Sequence, residues 1–239
     1  HGLIVSAFRD RKEAWAATLV ARARDESWGD ITLLTILRAL PMERWTWEQV
    51  SKIGGETEVA YWRQAPAHWM IGDSEDTAYA IEMLISVGRA RHALPLAERN
   101  HKANLPSDVL VKVLREAARQ PFEIDSDRNE ATMFQHYVSE ILQLLDDRED
   151  VDRNTLVELE WNYLAVLEHS PRPAKVLHKA LSEQPSLFIE VLSAVFKASE
   201  ESGDVDPEPV DPDRARTIAM QAFKLLELWS HIPGTRDDG

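Results

Sequence analysis

Apolar residues recur along this chain with the spacing of an α-helix and almost never with the alternation of a strand. Between residues 107 and 118 they are Val109, Leu110, Val113, Leu114 and Ala117, and similar stripes cover residues 133–145 and 187–196. Positions i, i+1, i+4, i+5 and i+8 lie along one side of a helix, whereas a half-buried strand alternates every second residue. The pattern therefore predicts an all-α fold.

Capping residues, glycines and prolines divide this pattern into about eleven to twelve helices. Asp30, Thr46 and Ser107 are the predicted N-caps of three of them, and Pro95 is expected to delay or kink a fourth. The predicted helices cover residues 5–24, 30–40, 46–53, 56–64, 74–87, 90–101, 107–118, 130–146, 153–169, 173–183, 186–198 and 214–231.

The short connections between these helices predict antiparallel neighbours, which pack either as a closed bundle or as a stacked α-solenoid. Segments 109–114 and 187–192 share one order of apolar and charged residues, each just after a Pro-Ser pair. Their separation along the chain corresponds to two helix-pair repeats of roughly 39 residues each. We therefore predict antiparallel helix pairs stacked as a solenoid.

Composition divides the chain further. Residues 1–198 are predicted to form a helical-repeat domain, with a Trp-rich part at 1–70 and an acidic part at 71–198. Residues 199–213 are an expected linker because positions 200–213 hold three prolines and seven acidic residues. A terminal amphipathic helix at 214–231 and a tail at 232–239 complete the predicted order.

Two segments carry a resemblance to known proteins. Residues 80–97, AIEMLISVGRARHALPLA, resemble the helix–Gly–helix corner of tetratricopeptide-like and HEAT-like repeats. Residues 159–164, LEWNYL, with Leu177-His178 and residues 185–188, PSLF, are similar to helical regions of large bacterial proteins, some of them NTPases of the NACHT or STAND type. The resemblance covers residues 45–198 and implies a sensor or scaffold region. The chain departs from those proteins in Pro95 and in having no Gly-rich phosphate loop.

The net charge of −14 is unevenly distributed. Residues 1–70 hold nine basic and nine acidic residues, so residues 71–239, with 18 against 32, carry the whole excess. Such an acidic surface repels phosphate backbones, which disfavours nucleic-acid binding. A local basic groove within the neutral segment 1–70 stays open as an alternative.

Bulk features narrow the class of protein. The chain has no cysteine, which excludes disulfides, thiolate metal sites and cysteine nucleophiles. It has no apolar run of about 18 residues, so we expect no membrane span. A cytoplasmic location is the default expectation, and the absence of an initiator Met leads us to expect a segment of a longer bacterial protein.

Six of the eight tryptophans lie within segment 1–70. The densest cluster is Trp45, Trp47, Tyr61, Trp62 and Trp69. Large aromatic side chains are common anchors of protein-binding sites, and they also fill helix–helix cores. The sequence leaves both roles open and favours the core role.

A second candidate site is the acidic run at the end of a predicted helix. Asp146, Asp147 and Asp150 match the DDxxD spacing with which class I isoprenoid synthases bind magnesium diphosphate. A second acidic motif, which such enzymes require, is not found, and charge clusters usually mark solvated surface. An all-α enzyme of this type is therefore the alternative function.

Other metal patterns are incomplete. Residues 125–136 resemble an EF-hand loop, but Glu130 replaces the required glycine and His136 the bidentate glutamate. Glu98 and His101 form only one copy of the Glu-x-x-His unit of di-iron bundles. We expect no resident metal and no cofactor. The leading hypothesis is a noncatalytic interaction, sensor or scaffold module whose partner is another protein, the rest of its own polypeptide, or a second copy.

Overall fold

The computed structural model describes residues 2–67, 70, 72–99, 105–120, 128–167, 170–184, 186–187, 189, 223 and 227. The regular structure along these residues is helical and includes no strand, which confirms the all-α class. The helices are α1 (Gly2–Asp25), α2 (Asp30–Leu37), α3 (Arg44–Ile53), α4 (Gly55–Gln64), α5 (Ser74–Ser86), α6 (Ala90–Arg99), α7 (Ser107–Ala118), α8 (Arg128–Asp146), α9 (Arg153–Asn162), α10 (Leu164–Leu167) and α11 (Lys175–Glu183).

Several predicted N-caps are wrong by one to three positions. Thr46 is not an N-cap, because α3 already begins at Arg44 and Glu43 holds the cap position without a side-chain hydrogen bond. This earlier start turns Thr46, Trp47 and Val50 toward the core. Asp30 and Ser107 are the first residues of their helices and not the caps.

Two helices begin with a side-chain cap that the sequence did not single out. The carboxylate of Asp73 accepts a hydrogen bond from the backbone N–H of Asp76 at 3.0 Å and caps α5. Asp152 caps α9 by accepting from the N–H of Thr155 at 3.0 Å and from its hydroxyl at 2.6 Å. Each cap satisfies a backbone donor that the helix itself leaves unpaired.

The predicted helix at 153–169 is interrupted. It ends at Asn162, and after Tyr163 the single turn α10 follows. Pro95, by contrast, lies inside α6. The predicted helices at 186–198 and 214–231, the linker at 199–213 and the tail at 232–239 lie largely or wholly outside the described residues.

The chain divides into two compact units, His1–Glu130 and Ala131–Gly239. In the first unit, the principal packing contacts join α1 to α2 and α3, α4 to α2, α3 and α5, and α7 to α5 and α6, while α5 also packs on α6. In the second unit, α9 packs against α10 and α11. Both cores consist of the apolar stripes recognised in the sequence, such as Val113 and Leu114 in α7 and Ile141 and Leu142 in α8.

Two turns bring neighbouring helices of the first unit into contact. Gly54 and Gly55, with φ of +66° and +57°, reverse the chain between α3 and α4, a conformation that glycine adopts without a steric penalty. Arg89, in the turn between α5 and α6, donates one guanidinium nitrogen to the carbonyls of Trp62 and Ala65 at 2.8 and 2.7 Å. It thereby holds the end of α4 against the start of α6.

Along the part of the chain that the structure describes, no helix is long and apolar enough to cross a lipid bilayer.

Candidate functional site

The predicted aromatic cluster is mostly the core of the first unit. Trp47 is 1% exposed, and Tyr61 and Trp62 are fully buried. The ring centroids of Trp47 and Trp62 lie 5.7 Å apart, and Tyr61 meets Trp62 edge-on at 5.5 Å. Tyr79 of α5 closes the group, since its ring stacks on Trp47 at 6.1 Å. The cluster therefore joins α3, α4 and α5.

These three side chains do not fit the predicted role of surface anchors. α3 and α4 meet face to face, so Trp47 and Trp62 point at each other and away from solvent. A binding anchor has to be reachable by its partner before it is buried by it. The core role applies to Trp47, Tyr61 and Trp62, while Trp69 lies outside the described residues.

Several polar atoms in this core have no hydrogen bond of normal geometry. They are the hydroxyls of Thr46 and Tyr61 and the indole nitrogens of Trp47 and Trp62. Burial raises the pKa of the Tyr61 hydroxyl well above its usual value, and the neighbouring Trp47 and Arg38 offset only part of that rise. A buried donor without a partner costs free energy, so these groups weaken a core that their rings stabilise.

Trp45 differs from its neighbours because it remains half-buried. Its ring lies 6.2 Å from that of Phe8, which α1 contributes. Trp28, in the connection between α1 and α2, is 39% exposed, and its indole N–H donates to Glu26 at 2.9 Å. Trp45 is thus the member of the predicted cluster that is both described and accessible.

Charged side chains flank the aromatic core at its edge. The guanidinium of Arg44 lies 4.5 Å from the centroid of the Tyr79 ring, a cation–π distance. The same guanidinium is 3.4 Å from Glu48 and 3.8 Å from Asp76. Positive and negative groups therefore alternate around Tyr79 at this edge of the core, in keeping with the balanced charge of residues 1–70.

The second unit contains a buried cluster of ionic groups. Arg172 donates from Nε to Oδ2 of Asp146 at 2.8 Å and from Nη2 to Oδ1 at 2.6 Å. Nη2 also lies 2.7 Å from Oε1 of Glu160. These two atoms form a close ion pair, but their geometry does not meet the requirements of a hydrogen bond. Oε2 of Glu160 accepts from the backbone N–H of Leu177 at 2.6 Å. The cluster links α8, α9 and α11.

The pKa values of the two carboxyl groups in this cluster shift in opposite directions. Burial alone would raise the pKa of Asp146, but hydrogen bonds from Arg172 and Lys175 outweigh burial and hold that pKa below its usual value. Burial raises the pKa of Glu160, and the Leu177 N–H and Arg172 only partly offset the rise. Burial alone would lower the pKa of Arg172, but the attraction of both carboxylates outweighs it and keeps that pKa raised. We assign the main ion pair to Asp146, since it takes two guanidinium nitrogens.

This cluster changes the interpretation of the predicted magnesium motif. Asp146 points inward to Arg172 and to Lys175, whose Nζ lies 2.8 Å from Oδ2. Asp147 and Asp150 are exposed and lie beyond the end of α8. Among the described residues, no group of three or more His, Asp or Glu side chains is placed to hold a metal ion.

Glu160 could have been recognised from the sequence, because a signal for it is present there. Leu156, Leu159, Glu160 and Tyr163 occupy positions i, i+3, i+4 and i+7, so a carboxylate lies on the apolar face of α9. A charge on such a face needs a buried partner of opposite sign. Arg172, between Pro171 and Pro173 and outside any helical pattern, carried no comparable signal.

No family model, curated protein or solved structure matches this chain.

Proposed function

We propose that this chain is an all-α interaction module of the sensor or scaffold type, and that Trp45 lies at the centre of its contact surface. The observation that carries the proposal is that Trp45 stays half-buried while its aromatic neighbours are buried. A tryptophan at a partly exposed position buries a large area on binding at a small cost in side-chain entropy.

The surroundings of Trp45 support a protein partner. Segment 1–70 carries no net charge, and Arg44 and Glu48 form an ion pair on the same helix as Trp45. Protein interfaces place an apolar or aromatic centre within a polar rim of mixed charge. A nucleic acid would call for a surplus of basic residues, which this region does not have.

The order of helix packing supports a repeat-like scaffold. The principal contacts of the first unit join helices that are neighbours in sequence or next neighbours, as in α5, α6 and α7. Stacked helix pairs in repeat proteins make contacts of this short range and present extended surfaces to partners. We therefore keep the tetratricopeptide-like or HEAT-like solenoid as the proposed architecture.

The test begins by enriching a partner from cell extract with the tagged chain, purifying it, and measuring its affinity for three variants. Trp45→Ala should weaken binding at least about tenfold, the effect of removing one interface hot spot. The Trp62→Ala variant should lose about 3–5 kcal/mol of its free energy of unfolding. The loss for the Trp45→Ala variant should be far smaller. Trp28→Ala, at an exposed tryptophan of the same unit, is the matched control and should bind like the wild type.

Equal binding by the Trp45→Ala and Trp28→Ala proteins would contradict the assignment of the contact surface. A fall in unfolding free energy for Trp45→Ala as large as that for Trp62→Ala would contradict it as well, because Trp45 would then be a core residue.

A further inference from the structure

The first helix contains a backbone conformation that a lysine rarely adopts. Lys12 has φ of 61° and ψ of −163°, which divides α1 into residues 2–11 and 13–25. Gly54, between α3 and α4, has nearly the same angles, 66° and −161°. Only glycine enters this region without strain, so the chain uses glycine at one such bend and a strained lysine at the other.

The short stretch before this bend is weakly attached to the rest of the first unit. We call residues 2–11 the N-terminal arm. Ile4, Ala7 and Phe8 form its inner face at positions i, i+3 and i+4, and each is only half-buried. In the second half of α1, by contrast, Ala16, Val20 and Ala23 are buried. Little buried area would be lost if the arm left its place.

The arm also exposes apolar side chains at the two edges of this inner face. Leu3 is 88% exposed and Val5 is 38% exposed. Phe8 of the arm makes a ring contact with Trp45 of α3, and the two ring centroids lie 6.2 Å apart. The arm therefore has one apolar face that its own chain covers only in part, with further apolar side chains exposed beside it.

We propose that two copies of this chain exchange their N-terminal arms, with Lys12 as the hinge and Phe8 of each copy packed on Trp45 of the other. Straightening α1 through Lys12 would give this residue helical angles and release its strain in both copies. The contact between Phe8 and Trp45 is kept in the exchanged dimer, so the exchange loses no existing packing. A short hinge under strain favours such exchange.

Exposed apolar residues of the arm supply a further reason for the dimer to form. Leu3 and Val5 are exposed in the single copy, so a new contact that the exchanged pair forms beside the arm can bury their apolar surface. The inference rests on the proposed function in placing a protein contact at Trp45, and it identifies a second copy as one partner.

The first experiment measures the dimer dissociation constant of the full chain by sedimentation equilibrium. Lys12→Gly relieves the strain of the bent form and disfavours the straight helix, so it should raise that constant at least about 30-fold, the factor set by the lower limit of strain at two hinges. Lys12→Ala keeps the strain and favours a helix, so it should dimerise at least as well as the wild type. No dimer at millimolar concentration, or equal dimerisation of the glycine and alanine variants, would overturn the proposal.

The second experiment uses the absence of cysteine from the natural sequence. Chains with Phe8→Cys and chains with Trp45→Cys are mixed, refolded together at high concentration and oxidised. Arm exchange predicts a disulfide between the two kinds of chain, and Phe8→Cys mixed with Thr18→Cys, an exposed position on α1, should give far less. A mixture of Phe8→Cys and Trp45→Cys that gives no more than this control would overturn the exchange.

These outcomes separate the two proposals. A monomeric chain whose Trp45→Ala variant still loses a purified partner would reject the arm exchange and leave the interaction module intact. An exchanged dimer whose Trp45→Ala variant binds that partner normally would reject the assigned partner surface alone.

Discussion

Arg172 binds Asp146 through two guanidinium nitrogens, at 2.8 and 2.6 Å, and their side chains are 5% and 8% exposed. This pair ties the end of α8 to the segment before α11. Glu160 shares the same guanidinium from α9. Three parts of the second unit thus meet at one guanidinium, and the ammonium of Lys175 adds a second positive charge at Asp146.

Replacing Arg172 with Met should destabilise the protein by about 3–5 kcal/mol, because the buried carboxylates of Glu160 and Asp146 lose the guanidinium that they share, while Asp146 keeps the exposed ammonium of Lys175. Lys175→Met is the matched control. Its ammonium also contacts Asp146, but its side chain is 56% exposed, so its loss should cost at most about 1 kcal/mol. Urea unfolding monitored by circular dichroism measures both. A cost for Arg172→Met no larger than that of the control would show that the cluster is not a structural centre.

Lowering the pH should reduce the contribution of one carboxyl group of the cluster to the free energy of unfolding and increase that of the other. The folded pKa of Asp146 is lowered, so its stabilisation is present at neutral pH and is lost as the pH falls below about 4. The folded pKa of Glu160 is raised, so its stabilisation is present below about pH 4 and is lost as the pH rises above that value.

Two variants separate these effects in urea unfolding measured from pH 7 to pH 3. The cost of Asp146→Asn, relative to the wild type, should shrink as the pH falls, whereas the cost of Glu160→Gln should grow. Parallel profiles for the two variants would contradict the assignment of the main ion pair to Asp146.

Magnesium with pyrophosphate should leave the melting temperature unchanged. A ligand that binds the folded state raises this temperature by mass action, but Asp146 is already paired with Arg172 and Lys175. Differential scanning fluorimetry with and without the two ions tests this. A rise that disappears in the Asp147→Asn/Asp150→Asn protein would restore the magnesium site as a candidate.

The helices could be predicted because their information is local. The spacing of apolar residues in α7 and α8 identifies a buried face without reference to any distant residue. Helix starts could not be predicted as well, since Thr46 has the chemistry of a cap, yet Glu43 holds the cap position and Thr46 is buried inside α3. One turn of difference separates a capping hydroxyl from a buried one.

The surroundings of the candidate site residues could not be predicted, because they depend on contacts between residues that are far apart in the chain. Trp45 and Trp47 are close neighbours in the chain, yet only their position around α3 makes one accessible and the other buried. Similarly, the spacing of Asp146, Asp147 and Asp150 gives no sign of Arg172, which lies 26 residues beyond Asp146. A motif specifies which groups are present, whereas the fold decides what each group faces.

Removing the Tyr61 hydroxyl should not weaken the aromatic core. The hydroxyl is buried without a hydrogen bond of normal geometry, so Tyr61→Phe should leave the free energy of unfolding unchanged or raise it by about 1 kcal/mol. The raised pKa of Tyr61 adds a pH dependence. The folded state keeps the phenol protonated while the unfolded chain ionises above about pH 10, so the wild type should lose stability as the pH rises through that value.

The Phe variant should lose much of this alkaline sensitivity, whereas Tyr79→Phe, which changes the half-buried ring next to Trp47, should retain it. Urea unfolding between pH 8 and pH 11 gives both profiles, and tyrosinate absorbance reports the ionisation directly. Equal alkaline destabilisation of the wild type and Tyr61→Phe would mean that the Tyr61 hydroxyl is solvated in the folded protein. Since Tyr61 packs edge-on against Trp62, that result would also undermine the separation of a buried Trp47–Trp62 core from the accessible Trp45 surface.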